Sequence, residues 1–183
     1  MLGETIAGIL RTNREYRIEF NMPYDVRAIA NFVLDLADQR DRAVSNLSIN
    51  KIVFFLHAYF LARFGKPLVS AKIEAWEYGP VFRELYREFK PFADRPIKAR
   101  VYRINATTGE RELCESALPE HEREFLEELG RRFVSFSASS LVSMSHEPGA
   151  PWDQVWNHSS RVNASMHISD DLIMNWYARA ARH

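Results

Sequence analysis

The chain has 183 residues, 46% hydrophobic and 13% aromatic, with 24 basic against 24 acidic side chains and a single cysteine. This describes a globular chain with enough apolar surface to close a core without disulfides or a structural metal. A formal charge of zero gives no global field to gather a polyanion, which argues against nucleic acid or an acidic membrane as a partner. Cys114 stands alone, which excludes an internal disulfide and a Cys-rich zinc site and fits a reducing cytoplasm.

Residues 1–21 read as an appendage. Ile6, Ile9 and Leu10 suggest a short helical face, and Tyr16, Ile18 and Phe20 alternate with Arg17 and Glu19 as in an edge strand. No apolar run reaches the roughly 18 residues of a spanning helix, and the N-terminal stretch has no signal-peptide pattern. From Met22 onward the periodicity strengthens, so residues 22–183 are expected to fold without the first 21. Val26, Ile29, Ala30, Val33, Leu36 and Ala37 fall at helical spacing and mark a helix with one buried face.

Ser48 is the expected cap of the next helix, whose run Ile49 to Leu61 is apolar almost all round until Gly65 and Pro67 stop it. A helix greasy on every side belongs in the middle of the domain. Its polar members Asn50, Lys51 and His57 must then find partners or face a cleft, because an unpaired buried polar group costs roughly 1–3 kcal/mol. Lys72 to Glu77 alternates like a half-buried strand, Gly79-Pro80 makes a turn, and Pro80 is placed to open a helix through Val81, Leu85 and Phe89. Lys98–Ile104 and Arg111–Leu113 flank Thr107-Thr108-Gly109 as a hairpin. Pro119–Phe136 and Ser137–His146 read as helices, Pro151-Trp152 starts a further turn, and Ser169 caps a closing helix. The expected architecture is α+β, mainly α-helical, around a central apolar helix.

Chemistry-bearing motifs are few. His146-Glu147 opens like a zinc-protease helix, but Pro148 and Gly149 break it and Ala150 stands where the second histidine belongs. Ser48-Ile49-Asn50-Lys51 has the spacing of penicillin-recognising serine enzymes without their other elements. Arg95, Lys98, Arg100 and Arg103 form a local basic strip with one interleaved aromatic, Tyr102, too few for a stacking platform. The less ordinary feature is the set of aromatics near turns, Trp76, Tyr78, Trp152 and Trp156, with Lys51, Glu77 and His146 as polar company. Tryptophan and tyrosine with a few charged groups are the usual anchors of protein interfaces.

Several segments carry a resemblance. Met22-Pro23-Tyr24-Asp25 through Phe32, Leu47 through His57, Trp76-Glu77-Tyr78-Gly79-Pro80-Val81 with Tyr86, His146 followed by Pro151-Trp152, and Ile168 to Tyr177 together resemble the Panacea domain, in the same order along the chain. The resemblance implies a mainly helical domain with a small antiparallel sheet. It also implies a bacterial or phage-associated antitoxin that inhibits a cognate protein toxin by contact; delivery of the toxin to a protease and self-association stay open beside that. No catalytic residues and no cofactor carry over. Residues 1–21, the hairpin and the basic strip have no counterpart in the shared core and are the natural seat of partner choice.

The expected partner-binding residues are Lys51, Trp76, Glu77, Tyr78, His146 and Trp152, with Ser48, Gly79, Pro80 and Pro151 as structural caps and turns. Strand alternation places Trp76 and Tyr78 on one face and Glu77 on the other. Two alternatives stay open: a metal-dependent or other hydrolase using His146, Glu147 and Asp153, and a DNA-binding autorepressor using Arg95 to Arg103.

Overall fold

A computed structural model describes residues 22–157 and 166–180. The expected helix and edge strand within residues 1–21 lie outside the described residues. Helix α1 spans Val26–Asp38, opened by Asp25, whose carboxylate accepts the Arg27 backbone N–H at 2.8 Å. Helix α2 spans Asn46–Phe64. Its cap is Ser45 and not Ser48: the Ser48 N–H donates to Ser45 Oγ at 3.3 Å, which puts Ser48 inside the first turn. Two serines one turn apart offer the same hydroxyl, and the backbone selects the earlier one. By length and composition α2 would pass for a membrane span, yet most of it is buried inside this fold, where it is the core helix.

Strands β1 (Ile73–Trp76) and β2 (Gly79–Phe82) pair antiparallel, with Ile73 opposite Phe82 and Trp76 opposite Gly79. Pro80 therefore lies in a strand opposite Ala75, and helix α3 begins later, spanning Arg83–Phe89. The Ala75 N–H points the other way, to the Met166 carbonyl at 2.7 Å, so the missing Pro80 N–H removes no ladder bond. Met166 and Ile168 thus extend the sheet on the far side of β1, Ile168 N–H donating to the Ile73 carbonyl at 3.0 Å.

A 3-10 turn at Lys90–Phe92 follows. The expected hairpin is present as β3 (Tyr102–Ile104) and β4 (Arg111–Leu113). Helices α4 (Glu120–Phe133), α5 (Ala138–Ser145), α6 (Pro151–Trp156) and α7 (Asp170–Ala180) complete the described residues. Ser137 caps α5, Pro151 opens α6, and the Leu172 N–H donates to Ser169 Oγ at the start of α7. The fold is α+β and mainly helical. Its core closes around α2, with the Phe55 and Phe133 rings stacked at 4.9 Å and Tyr59 edge-on to Tyr177 at 5.0 Å.

Candidate functional site

The polar residues of α2 explain how the first hairpin is held. Asn50 Oδ1 accepts the Phe82 N–H at 3.0 Å, and Lys51 Nζ donates to the Pro80 carbonyl at 3.0 Å. Asn50 Nδ2 donates to Asn46 Oδ1 at 3.0 Å, and Asn46 Nδ2 donates to the Tyr86 carbonyl at 3.1 Å. The outer edge of β2 is thus paired with helix side chains where another strand would otherwise be needed. Lys51 is 0% exposed, and burial pushes its pKa down to about 7. It stands behind the surface and makes no part of it, a correction to its expected direct contact with a partner.

Gly79 packs on that lysine. Its φ is +101°, and a Cβ there would sit 2.5 Å from Ser145 Oγ and 2.7 Å from Lys51 Cε, so both the conformation and the space require glycine. Pushed outward by this packing, the turn presents Tyr78 at 59% exposure. Trp76 is half-buried, with its ring edge-on to Tyr86 at 4.8 Å and its indole N–H donating to Glu74 Oε2 at 3.0 Å. Glu74 in turn holds Arg83 at 2.8 Å. Because β1 ends at Trp76, strand alternation stops there: Trp76, Glu77 and Tyr78 line one groove together, and Glu77 does not face away as expected.

On the other side of the sheet, the Trp152 indole N–H donates to the Trp76 carbonyl at 2.8 Å. Trp152 is itself largely buried, stacked between His146 at 3.6 Å and Trp156 at 5.7 Å. Trp156 is the outer member of that stack, at 39% exposure. His146 Nε2 is buried without a hydrogen-bond partner among the described residues, and burial, with the Lys51 charge adding to it, holds its pKa below the usual imidazole range.

Most residues of the two alternative readings are engaged elsewhere. Asp153 accepts the Gly149 N–H at 2.8 Å and the Asn157 side-chain amide, Glu147 is exposed, and no three metal-ligating side chains converge among the described residues. In the basic strip, Arg100 is held by Asp35 at 2.8 Å and also pairs with Asp38, Arg103 is held by Glu112 at 2.6 Å, and Arg95 bonds the Pro91 and Phe92 carbonyls. Cys114 is fully buried, and desolvation raises its thiol pKa, the opposite of an activated nucleophile.

The groove beside Tyr78 has a volume of about 610 Å³. Leu47, Val81, Tyr86, Lys90 and Asp94 also line it, and sequence reasoning did not single them out as site residues. One signal pointed that way: Asn46 and Asn50 are four apart in a largely apolar helix, a polar pair that must have local partners.

The family described as "Antitoxin SocA-like, Panacea domain" matches residues 49–153. The chain is 33% identical over 150 residues to Antitoxin SocA of Caulobacter vibrioides (strain NA1000 / CB15N), covering 81% of this chain and 80% of that protein. No solved structure matches at a significant level.

Proposed function

Since the chain belongs to the SocA-like Panacea antitoxin family, we propose that it neutralises a cognate protein toxin by direct contact, through the surface formed by the Glu77–Tyr78 turn and the outer face of Trp156. The observation that carries this reading is the exposed Tyr78 on a turn whose backbone is fixed from behind by Lys51, Asn50 and the Gly79 contact with Ser145. An aromatic with few rotamers on an immobile turn loses little entropy on binding, which is what makes tyrosine and tryptophan effective anchors. The reading requires no cofactor and no catalytic group, and it takes residues 22–183 as the functional unit.

Titration of the purified toxin, with thermal melts alongside, tests it. Tyr78→Ala is expected to melt like the wild type and to bind the toxin at least about tenfold more weakly, a loss of about 1.4 kcal/mol. Trp76→Ala is expected to destabilise the fold by about 3 kcal/mol, because its ring is packed on Tyr86 and its N–H is bonded to Glu74. Full affinity in a well-folded Tyr78→Ala protein would remove this surface. Neutralisation by purified components alone separates direct blocking from delivery to a protease.

A further inference from the structure

The groove next to Tyr78 differs chemically between its walls and its rim. Leu47, Trp76, Val81 and Tyr86 supply the walls, and the indole and amide groups among the lining residues are already committed. The Trp76 N–H is bonded to Glu74, the Asn50 amide to Phe82 and Asn46, and the Asn46 amide to the Tyr86 carbonyl. A polar side chain that lost its water against these committed groups would cost roughly 1–3 kcal/mol, whereas an apolar one meets mainly ring and aliphatic carbon. The volume of about 610 Å³ lies within the roughly 300–1,000 Å³ range of sites that take up several side chains or a small molecule.

The rim carries Glu77, Asp94 and Lys90, all exposed and without an ion pair among the described residues. Several surface carboxylates are held by arginines, such as Glu127 by Arg131 and Glu112 by Arg103, while Glu77 and Asp94 belong to those that are not. Two free carboxylates against one ammonium leave the rim net acidic, so the complementary charge on an occupant is positive.

We infer that this groove receives an apolar side chain of the toxin, borne on a segment that places a lysine or arginine against Glu77 and Asp94. The inference rests on the reading that the Trp76–Tyr78 turn belongs to the toxin-binding surface, and it adds which chemistry the turn selects.

The experiment is a charge scan of the full chain against the purified toxin, with peptides tiled along the toxin sequence as competitors. The double reversal Glu77→Lys with Asp94→Lys should weaken binding about tenfold or more at about 0.05 M salt, Lys90→Glu should tighten it about threefold, and both effects should shrink at about 0.5 M salt. Leu47→Asp should abolish binding while the protein still melts cooperatively, because an acidic side chain in the first turn suits a helix N-terminus. Leu47→Met should retain binding. The competing peptide should hold an aliphatic or aromatic residue within one helical turn of a lysine or arginine. Wild-type affinity in the groove variants, with loss confined to Tyr78→Ala or Trp156→Ala, would overturn the groove assignment and leave the neutralisation reading standing. An acidic competing peptide would also overturn the assignment, and no binding by the wild type would remove both readings.

Discussion

The two hairpins are built on the same device and end in opposite conditions. Each is clamped by a buried asparagine on a helix. Asn50 of α2 holds the Phe82 N–H, and Asn31 of α1 holds the Val101 N–H at 2.8 Å and the Val101 and Cys114 carbonyls at 2.9 and 3.0 Å. For β1–β2 the clamp is one of several: Lys51 covers one edge, Met166 and Ile168 cover the other, and Gly79 is wedged on Ser145. For β3–β4 the clamp sits only at the base, and β3 is exposed along its whole length. Its cross-strand interactions are surface ones, Arg103 with Glu112 and the Arg111 guanidinium over the Tyr102 ring at 4.2 Å. The comparison teaches that a hairpin tip is held in place only when the backbone beneath it is held, and of these two hairpins that is true of the one carrying Tyr78.

Two glycines test the difference most strongly. Gly79→Ala combines a disfavoured φ with contacts under 3.0 Å to Ser145 and Lys51, and it should cost about 4 kcal/mol in chemical denaturation. Gly109, at the tip of the second hairpin, has φ +73°, but a Cβ added there would meet nothing within 4 Å, so Gly109→Ala should cost only the conformational term of about 1 kcal/mol. Equal costs would mean that the first turn is not held from behind.

The buried lysine gives a smaller effect with a definite sign. Lys51 titrates near 7 in the fold and near 10.5 when unfolded, so between those values the unfolded chain binds more protons and stability rises with pH. The expected slope is roughly 1 kcal/mol per pH unit above 7. Above about pH 10 the trend reverses, because burial raises the pKa values of Tyr59, to about 12, and of Tyr177, while their unfolded counterparts ionise. Lys51→Met removes the lysine contribution and keeps the tyrosine one. Denaturation of both proteins between pH 7 and 9 should show the methionine variant's relative stability falling by about 2 kcal/mol across that interval. A constant difference would show that Lys51 keeps its charge in the fold, and with it a partner other than the Pro80 carbonyl.

Most of the architecture is legible in the sequence because it rests on periodicity: the apolar run from Ile49 to Leu61 reads as a core helix, and its polar members had to be paired or face a cleft. Elements that depend on tertiary choice are less legible. Ser45 and Ser48 are equivalent as hydroxyls until the backbone path is known. Pro80 suits a helix start by local rules and a strand by its neighbours, and only Met166, far along the chain, decides the matter by taking the Ala75 N–H. The site divides in the same way. Trp76 and Tyr78 alternate in sequence, so their shared face was accessible to reading, whereas Glu77 joins them only because β1 ends at Trp76, and Tyr86, Lys90 and Asp94 only because α3 and the following 3-10 turn fold back beside α2. Lys51 shows the converse, since a charged residue in an apolar helix reads as a contact until its burial is seen.

The smallest expected effect concerns the second hairpin as a whole. Ile104 is 66% exposed and Tyr102 44%, so the strands bury little apolar surface, and the tie to the core runs through Val101 and Cys114, which lie outside them. Replacing residues 103–112 by a short Gly-containing turn should therefore change folding stability by less than about 0.5 kcal/mol, provided Val101 and Cys114 stay bonded to Asn31. Under the proposed function, toxin affinity should also be unchanged, since the arm neither lines the groove nor contacts Tyr78. Chemical denaturation and toxin titration on the same preparation separate the two outcomes. A large loss of stability would mean that the strands, and not Asn31, hold Val101 and Cys114 in place. A loss of affinity with an unchanged denaturation curve would make the arm a second point of toxin contact. Recognition would then combine one anchor held from behind with one held only at its base, and the second would be the part free to differ with the toxin it meets.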